Sequence, residues 1–397
     1  FLVLVLVASV ATRSHGAQQE PLVLAHASND SSISVELFTE LEELARIVDI
    51  SYCVGSTGLG VQKPFQCLSR CSEFENFELL MLRTQTWNTG PLLADSCGYI
   101  ALSHPPSIPR IILAFRGTYS LTNTIVDLST VPQEYVPYPG DDDDGDENED
   151  SSDFLTPLWP WRSSTTTNID DDDNDDPPPA DPPKCENCTV HMGFYSSWLN
   201  TRKVILPELT QAMDDYPDYK LTLVGHSLGG AVAALAGLDF LARGWEPRVT
   251  TFGEPRIGNK ELMAYANSRF NITSPTNANA NDYHRVTHTN DPVPLLPLAE
   301  WGYSMHSEEI FISAPALPPS VADLHHCVGD EDPSCIAGTD GEDPSWGIPA
   351  RFKFWELFFA HRDYFWRLGL CVPGGDPRDW YRGKYPKPGG DEDDVED

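Results

Sequence analysis

The stretch LTLVGHSLGGAVAALAG, residues 221–237, constrains the fold more than any other part of the chain. An apolar run, Leu221 to Val224, passes abruptly into an alanine-rich run, Ala231 to Leu238, and one serine, Ser227, stands at the corner. A strand that turns this sharply into a helix forces its corner residue into a strained backbone conformation, and the side chains around it must be nearly absent. Gly225 and Gly229 meet that need. A hydroxyl held there, above the sheet edge and beside the N–H groups of a helix start, is placed as a nucleophile. Taken alone, G-x-S-x-G is equally a plain strand-to-helix turn; the runs on both sides carry the functional reading.

The rest of the chain continues the alternation. SVELFTELEELARIVDISYCV has apolar residues at helical spacing, and FELLMLRTQTW, CGYIALS and RIILAFRG read as the strands of an antiparallel beginning. From VHMGFYSSWLNTRKVILPELTQAMDDYP onward the order is helix, strand 220–224, the elbow, helix 228–242, strand RVTTFG, helix near 259–268 and strand YHRVTH. This pattern predicts an α/β fold with a mostly parallel central sheet flanked by helices, whose reactive groups gather at the carboxyl ends of strands. GEPRIGN is too loose for a phosphate-cradling loop.

The 397 residues carry 60 acidic and 26 basic side chains, a formal net charge of −34, but the excess is local. Residues 141–181 hold 16 acids against Arg162 alone, and residues 391–397 hold 6 acids; the remaining 38 acids and 25 bases make a moderately acidic body. Both runs read as solvated, disordered segments: an insertion at about 137–184 within a loop, containing the apolar island DFLTPLWPW, and a tail at 373–397. No basic patch favours nucleic acid or an anionic membrane.

The opening FLVLVLVASVA is too short to span a bilayer and reads as a secretory signal lacking its first residues. Residues 1–17 are assigned to it, with Ala11 or Ala17 as the cleavage point and a polar stretch at 18–34 after it; a buried N-terminal strand is the alternative. Secretion permits cysteine pairing. Cys67 with Cys71, Cys185 with Cys188 and Cys327 with Cys335 are close enough for local bridges, and Cys53 with Cys371 could tie the ends of the domain, leaving Cys97 over. The competing reading, zinc held by Cys185, Cys188, His325, His326 and Cys327, is disfavoured because no second C-x-x-C is present. Sequons at Asn29, Asn187 and Asn271 fit the same compartment.

A serine hydroxyl needs a base, normally an imidazole oriented by a carboxylate, and an α/β-hydrolase supplies them in the order Ser, Asp, His. YHRVTHTNDPVP places Asp291 three residues past an apparent strand end, followed by Pro292; an Asx turn before proline is the plain reading. For the base, His361 lies in the aromatic stretch FFAHRDYFW, ten residues before Cys371. His306, read as starting a strand, is the runner-up, while His325 and His326 read as loop residues and His226 as packed against the sheet. Two oxyanion donors are also required. The N–H of Leu228 is one, and Thr118, after the strand IILAF in Arg116-Gly117-Thr118, is the other; a plain turn is the alternative there.

AFRGT, SLTNTIVDLST, CENCTVHMGFYSSW, VGHSLGGA, TFGEPRIGN, RVTHTNDPVPLLP and AHRDYF together resemble the filamentous-fungal class 3 lipases, relatives of the feruloyl esterases, from about residue 35 to 372. The resemblance implies a lipase-like α/β-hydrolase domain with Ser227, Asp291 and His361 as triad and Thr118 with Leu228 as oxyanion hole. It has counterparts for the four cysteine pairs and requires no cofactor and no metal. The acidic insertion and tail depart from it, as does Thr124 where the family's lid usually has tryptophan. Within the lid segment Leu121, Ile125 and Leu128 recur at helical spacing, a stripe able to cover a pocket in water and meet lipid at an interface; a permanently packed surface helix is the alternative. Feruloyl esterases carry a more polar segment there, with a tyrosine absent here. The expectation is therefore a secreted triacylglycerol lipase acting at an oil–water interface, with a feruloyl or short-chain esterase next and a catalytically dead binding protein last.

Overall fold

Every residue of Arg110–Arg116 is buried, and so is Lys220–His226 apart from Lys220, because the sheet they belong to is covered on both faces. Ile111, Leu113, Phe115, Leu221 and Leu223 join one apolar core, with Trp198, Val232, Leu235 and Leu262. Their neighbours Ile112, Ala114 and Val224 join a second, with Leu41, Leu44 and Val48. The two-residue alternation of a strand thus divides one sheet between two cores.

The computed structural model describes residues 32–54, 60–80, 87–88, 96–118, 128, 135–138, 185–272, 281–339 and 359–372. The signal segment with Ala11 and Ala17, Asn29, residues 139–184 and the tail at 373–397 lie outside the described residues. In chain order come helix α1 (Val35–Ser51) and strands β1 (Phe77–Leu79), β2 (Trp87–Asn88), β3 (Cys97–Ser103), β4 (Arg110–Arg116), β5 (Tyr135–Pro137) and β6 (Thr189–His191). Helix α2 (Met192–Asp215), β7 (Lys220–His226), helix α3 (Leu228–Ala242), β8 (Arg248–Phe252), β9 (Gly258–Asn259) and helix α4 (Lys260–Arg269) follow. The described order closes with β10 (Tyr283–His288), β11 (Tyr303–Ser304), β12 (Glu309–Ile312) and β13 (Leu324–His326).

The main sheet runs β1-β3-β4-β7-β8-β10-β12-β13, with β2 on the side of β3. The pairs β4/β7, β7/β8, β8/β10 and β10/β12 are parallel, and the β1/β3, β3/β4 and β12/β13 pairs at the two ends are antiparallel. This is the expected α/β architecture. Helix α1 packs on one face, its first turn capped by Ser34 Oγ, which accepts from Leu37 N at 3.1 Å. Helices α2, α3 and α4 cover the other face. Helix α3 is buried from Leu228 through Phe240, which its alanines and glycines allow by letting neighbours approach closely.

Four disulfides join Cys53–Cys371, Cys67–Cys71, Cys185–Cys188 and Cys327–Cys335, and Cys97 is reduced and buried. Bridged thiols at 185, 188 and 327 leave no thiolate for the zinc alternative. Two readings change. His325 and His326 lie in strand β13, paired with β12, rather than in a loop, and His306 precedes β12 instead of starting it. Pro137 and Tyr138 also belong to the fold: Pro137 pairs with Thr189 and Tyr138 is buried, so the strands flanking residues 139–184 are held side by side.

Candidate active site

Ser227 has φ 59° and ψ −129°, a conformation that side chains strongly disfavour, and its hydroxyl does not cap helix α3. Backbone bonds hold it there: Ser227 N donates to Phe252 O at 2.9 Å and Gly230 N donates to Ser227 O at 2.8 Å. A Cβ on Gly225 would strike the carbonyl of Gly229, and one on Gly229 would strike the carbonyl of Phe115. The flanking glycines are therefore required by close approach of three backbone segments.

Asp291 stands three residues beyond β10, and its Asx turn is real: Oδ1 accepts from Val293 N at 2.9 Å. The same carboxylate meets His361 Nδ1 through Oδ1 at 2.9 Å and Oδ2 at 2.8 Å. Tyr364 Oη donates to Oδ2 at 2.5 Å. Burial, and then the Asp291 charge, push the Tyr364 phenol well above its ordinary pKa, so it remains a donor. A carboxylate acceptor requires the proton on Nδ1, which leaves the neutral ring's lone pair on Nε2. That nitrogen is buried and has no hydrogen-bond partner. The His361 ring is stacked on His226, the residue before the serine, with centroids 4.6 Å apart.

The other histidines are engaged elsewhere. His306 Nε2 lies 3.2 Å from Glu254 Oε1, His326 Nε2 lies 3.2 Å from Glu308 Oε2, and His325 Nε2 lies 3.1 Å from Ser313 Oγ. Burial, reinforced by the His361 ring, pushes His226 well below the usual imidazole range and keeps it neutral.

Thr118 follows β4 by two residues, and its hydroxyl is buried without a partner. The preceding turn abuts the elbow, since a Cβ on Gly117 would lie 2.9 Å from Ser227 Cβ. Arg116 pins that turn: Nη1 donates to Val54 O at 2.5 Å and Nε to Gly117 O at 3.2 Å. Leu228 opens helix α3, where the first N–H groups lack intrahelical acceptors. Of the lid stripe, Leu128 is helical and 1% exposed, packed in the same core as Phe115 and Leu228. Leu121, Thr124 and Ile125 lie outside the described residues.

Three residues escaped the sequence reading. Tyr364 bonds the carboxylate, Tyr52 bonds His226, and Gly253, at φ 61°, passes so close that a Cβ would lie 2.8 Å from both Asp291 Oδ2 and His361 Cε1. The spacing from His361 to Tyr364 was the one local signal.

A strained serine at the carboxyl end of a parallel strand, leading into a buried helix, defines an α/β-hydrolase. Residues 112–301 match the sequence profile of the family described as Lipase (class 3). The chain is 47% identical, over 90% of its length and 88% of the relative's, to a protein of Gibberella zeae named secreted mono- and diacylglycerol lipase 2. It is 48% identical to lipase A of Sodiomyces alcalophilus, over 92% and 88% of the two chains. Among solved structures it is similar to the Lip2 lipase of Yarrowia lipolytica, with a TM-score of 0.66, 28% identity and coverage of 86% and 97%. The chain belongs to the class 3 lipase family.

Proposed function

We propose that this chain is a secreted serine esterase that hydrolyses the carboxylic ester bonds of acylglycerols. Ser227 attacks the acyl carbonyl, and His361 takes its proton and returns it to the departing glycerol oxygen. Asp291 holds the imidazole, and the N–H groups of Thr118 and Leu228 stabilise the oxyanion. Water then releases the acyl-enzyme. The observation that carries this reading is the buried His361: its Nδ1 is bound to both oxygens of Asp291 at 2.9 and 2.8 Å, while its Nε2 is left unpaired. A segment bearing Leu121, Ile125 and Leu128 serves as lid at the lipid surface.

The Gibberella relative's name speaks of mono- and diacylglycerols, which extends the expected substrates from triacylglycerols to partial glycerides. No described helix is long and apolar enough to cross a membrane.

The test compares hydrolysis of tri-, di- and monooleoylglycerol emulsions, of tributyrin below and above its solubility limit, and of methyl ferulate. Faster turnover of ferulate than of any glyceride overturns the lipase assignment. Ser227→Ala should remove about three to six orders of magnitude in rate; near-full activity would leave the nucleophile unassigned.

A further inference from the structure

His226 precedes the nucleophile, yet its side chain reaches away from it. Its Nε2 lies 2.8 Å from the backbone carbonyl of His361, so Nε2 carries the proton and donates. The opposite nitrogen, Nδ1, then holds a lone pair and accepts from the Tyr52 hydroxyl at 2.5 Å. Tyr52, His226 and His361 are each 0% exposed, so both bonds are shielded from bulk solvent. The two imidazoles are stacked, their planes inclined by 30°.

The elements around this chain are themselves tied together. Tyr52 ends helix α1, and Cys53 beside it is bridged to Cys371. Three residues before Tyr52, the carboxylate of Asp49 accepts from Gly369 N at 2.6 Å. Arg362, next to the base, lies over the Tyr52 ring at 5.4 Å and donates to Gly369 O at 2.6 Å. The segment from His361 to Cys371 is thus gripped by the end of α1, and His226 is the strut between that grip and the elbow.

We propose that Tyr52 and His226 are positioning residues that set the separation between the Ser227 hydroxyl and His361 Nε2 by fixing the base's own backbone to the residue before the nucleophile. The bond from Nε2 to the carbonyl fixes where the His361 backbone stands, the stacking fixes its ring, and Tyr52 fixes the tautomer of His226 that makes the bond possible. The inference rests on the reading of Ser227 and His361 as nucleophile and base. A misplacement of about 1 Å at such a pair costs on the order of a hundredfold in rate.

The experiment measures kcat and KM of the full chain on a soluble short-chain ester below its aggregation limit, with thermal unfolding in parallel, for wild type, His226→Leu, His226→Gln, Tyr52→Phe and Ser227→Ala. Gln presents an amide N–H near the position of Nε2 and an acceptor oxygen beside it. We expect His226→Leu to lower kcat about a hundredfold with KM within about twofold, Gln to recover about tenfold of that, and Tyr52→Phe to lower kcat about tenfold. Kcat unchanged in Tyr52→Phe overturns the relay even if His226→Leu fails to fold, and so does a Gln variant no better than Leu. An active Ser227→Ala would instead overturn the nucleophile reading, which separates the two failures.

Discussion

The imidazole of His361 rests on the imidazole of His226 at a centroid distance of 4.6 Å, so the proposed base is seated on the residue that leads into the nucleophile. Its other anchor is the carboxylate bound to Nδ1. Asp291 accepts from His361, Tyr364 and Val293 N, and a carboxylate with three fixed donors has little freedom to turn.

The carboxylate therefore has a role that depends on charge and one that depends on orientation, and two substitutions separate them. Asp291→Asn keeps the shape but presents an amide that can stabilise the wrong tautomer of His361; kcat should fall about 10⁴-fold. Tyr364→Phe removes one donor and leaves the charge, and should cost about tenfold. Steady-state kinetics on a soluble ester decide this, and a Tyr364→Phe loss as large as that of Asp291→Asn would contradict the division of roles.

Gly253 gives a test of space alone. It sits at φ 61°, and a Cβ there would lie 2.8 Å from Asp291 Oδ2 and from His361 Cε1. Gly253→Ala should lower kcat on the order of a hundredfold by displacing the imidazole, with a smaller change in KM. A crystal structure of the variant with His361 unmoved, together with wild-type kcat, would reject the argument.

What was legible in the sequence was local. The elbow needs an apolar strand, two glycines and a helix within 17 consecutive residues, and all of them are present in residues 221–237. The placement of Asp291 just past a strand was legible for the same reason. Tyr52 was not, because it meets His226 across 174 residues of chain and nothing near Tyr52 announces the contact. His325 and His326 were misjudged because strand β13 has only three residues and owes its existence to its pairing with β12. Pro137, read as the start of the insertion, is held in a strand for a similar reason: it pairs with Thr189, far along the chain.

Acid should weaken the fold through His191. This residue caps helix α2, its Nδ1 accepting from Phe194 N at 3.2 Å, and burial lowers its pKa to about 4. The unfolded chain, with an ordinary imidazole near 6.5, binds the proton first. Stability linked to His191 is therefore full above pH about 6.5 and lost progressively as pH falls toward 4. His191→Asn keeps a capping side chain without the titration. Urea midpoints between pH 7 and pH 4 should fall less steeply in the variant than in wild type; parallel curves would remove His191 from the account.

Leu128 is the described member of the lid stripe, and it is anchored in the core. It is 1% exposed among Phe115, Phe194 and Leu228, so Leu128→Ala should behave as a core truncation and lower the unfolding free energy by about 2–5 kcal/mol. If Leu121 and Ile125 act at the lipid surface, replacing both by serine should leave stability within about 1 kcal/mol, while abolishing the rise in rate that tributyrin shows on passing its solubility limit. Turnover of tributyrin in the dissolved range should persist. A double serine variant that loses as much stability as Leu128→Ala would mean that the whole stripe is a permanently packed helix and that no lid moves.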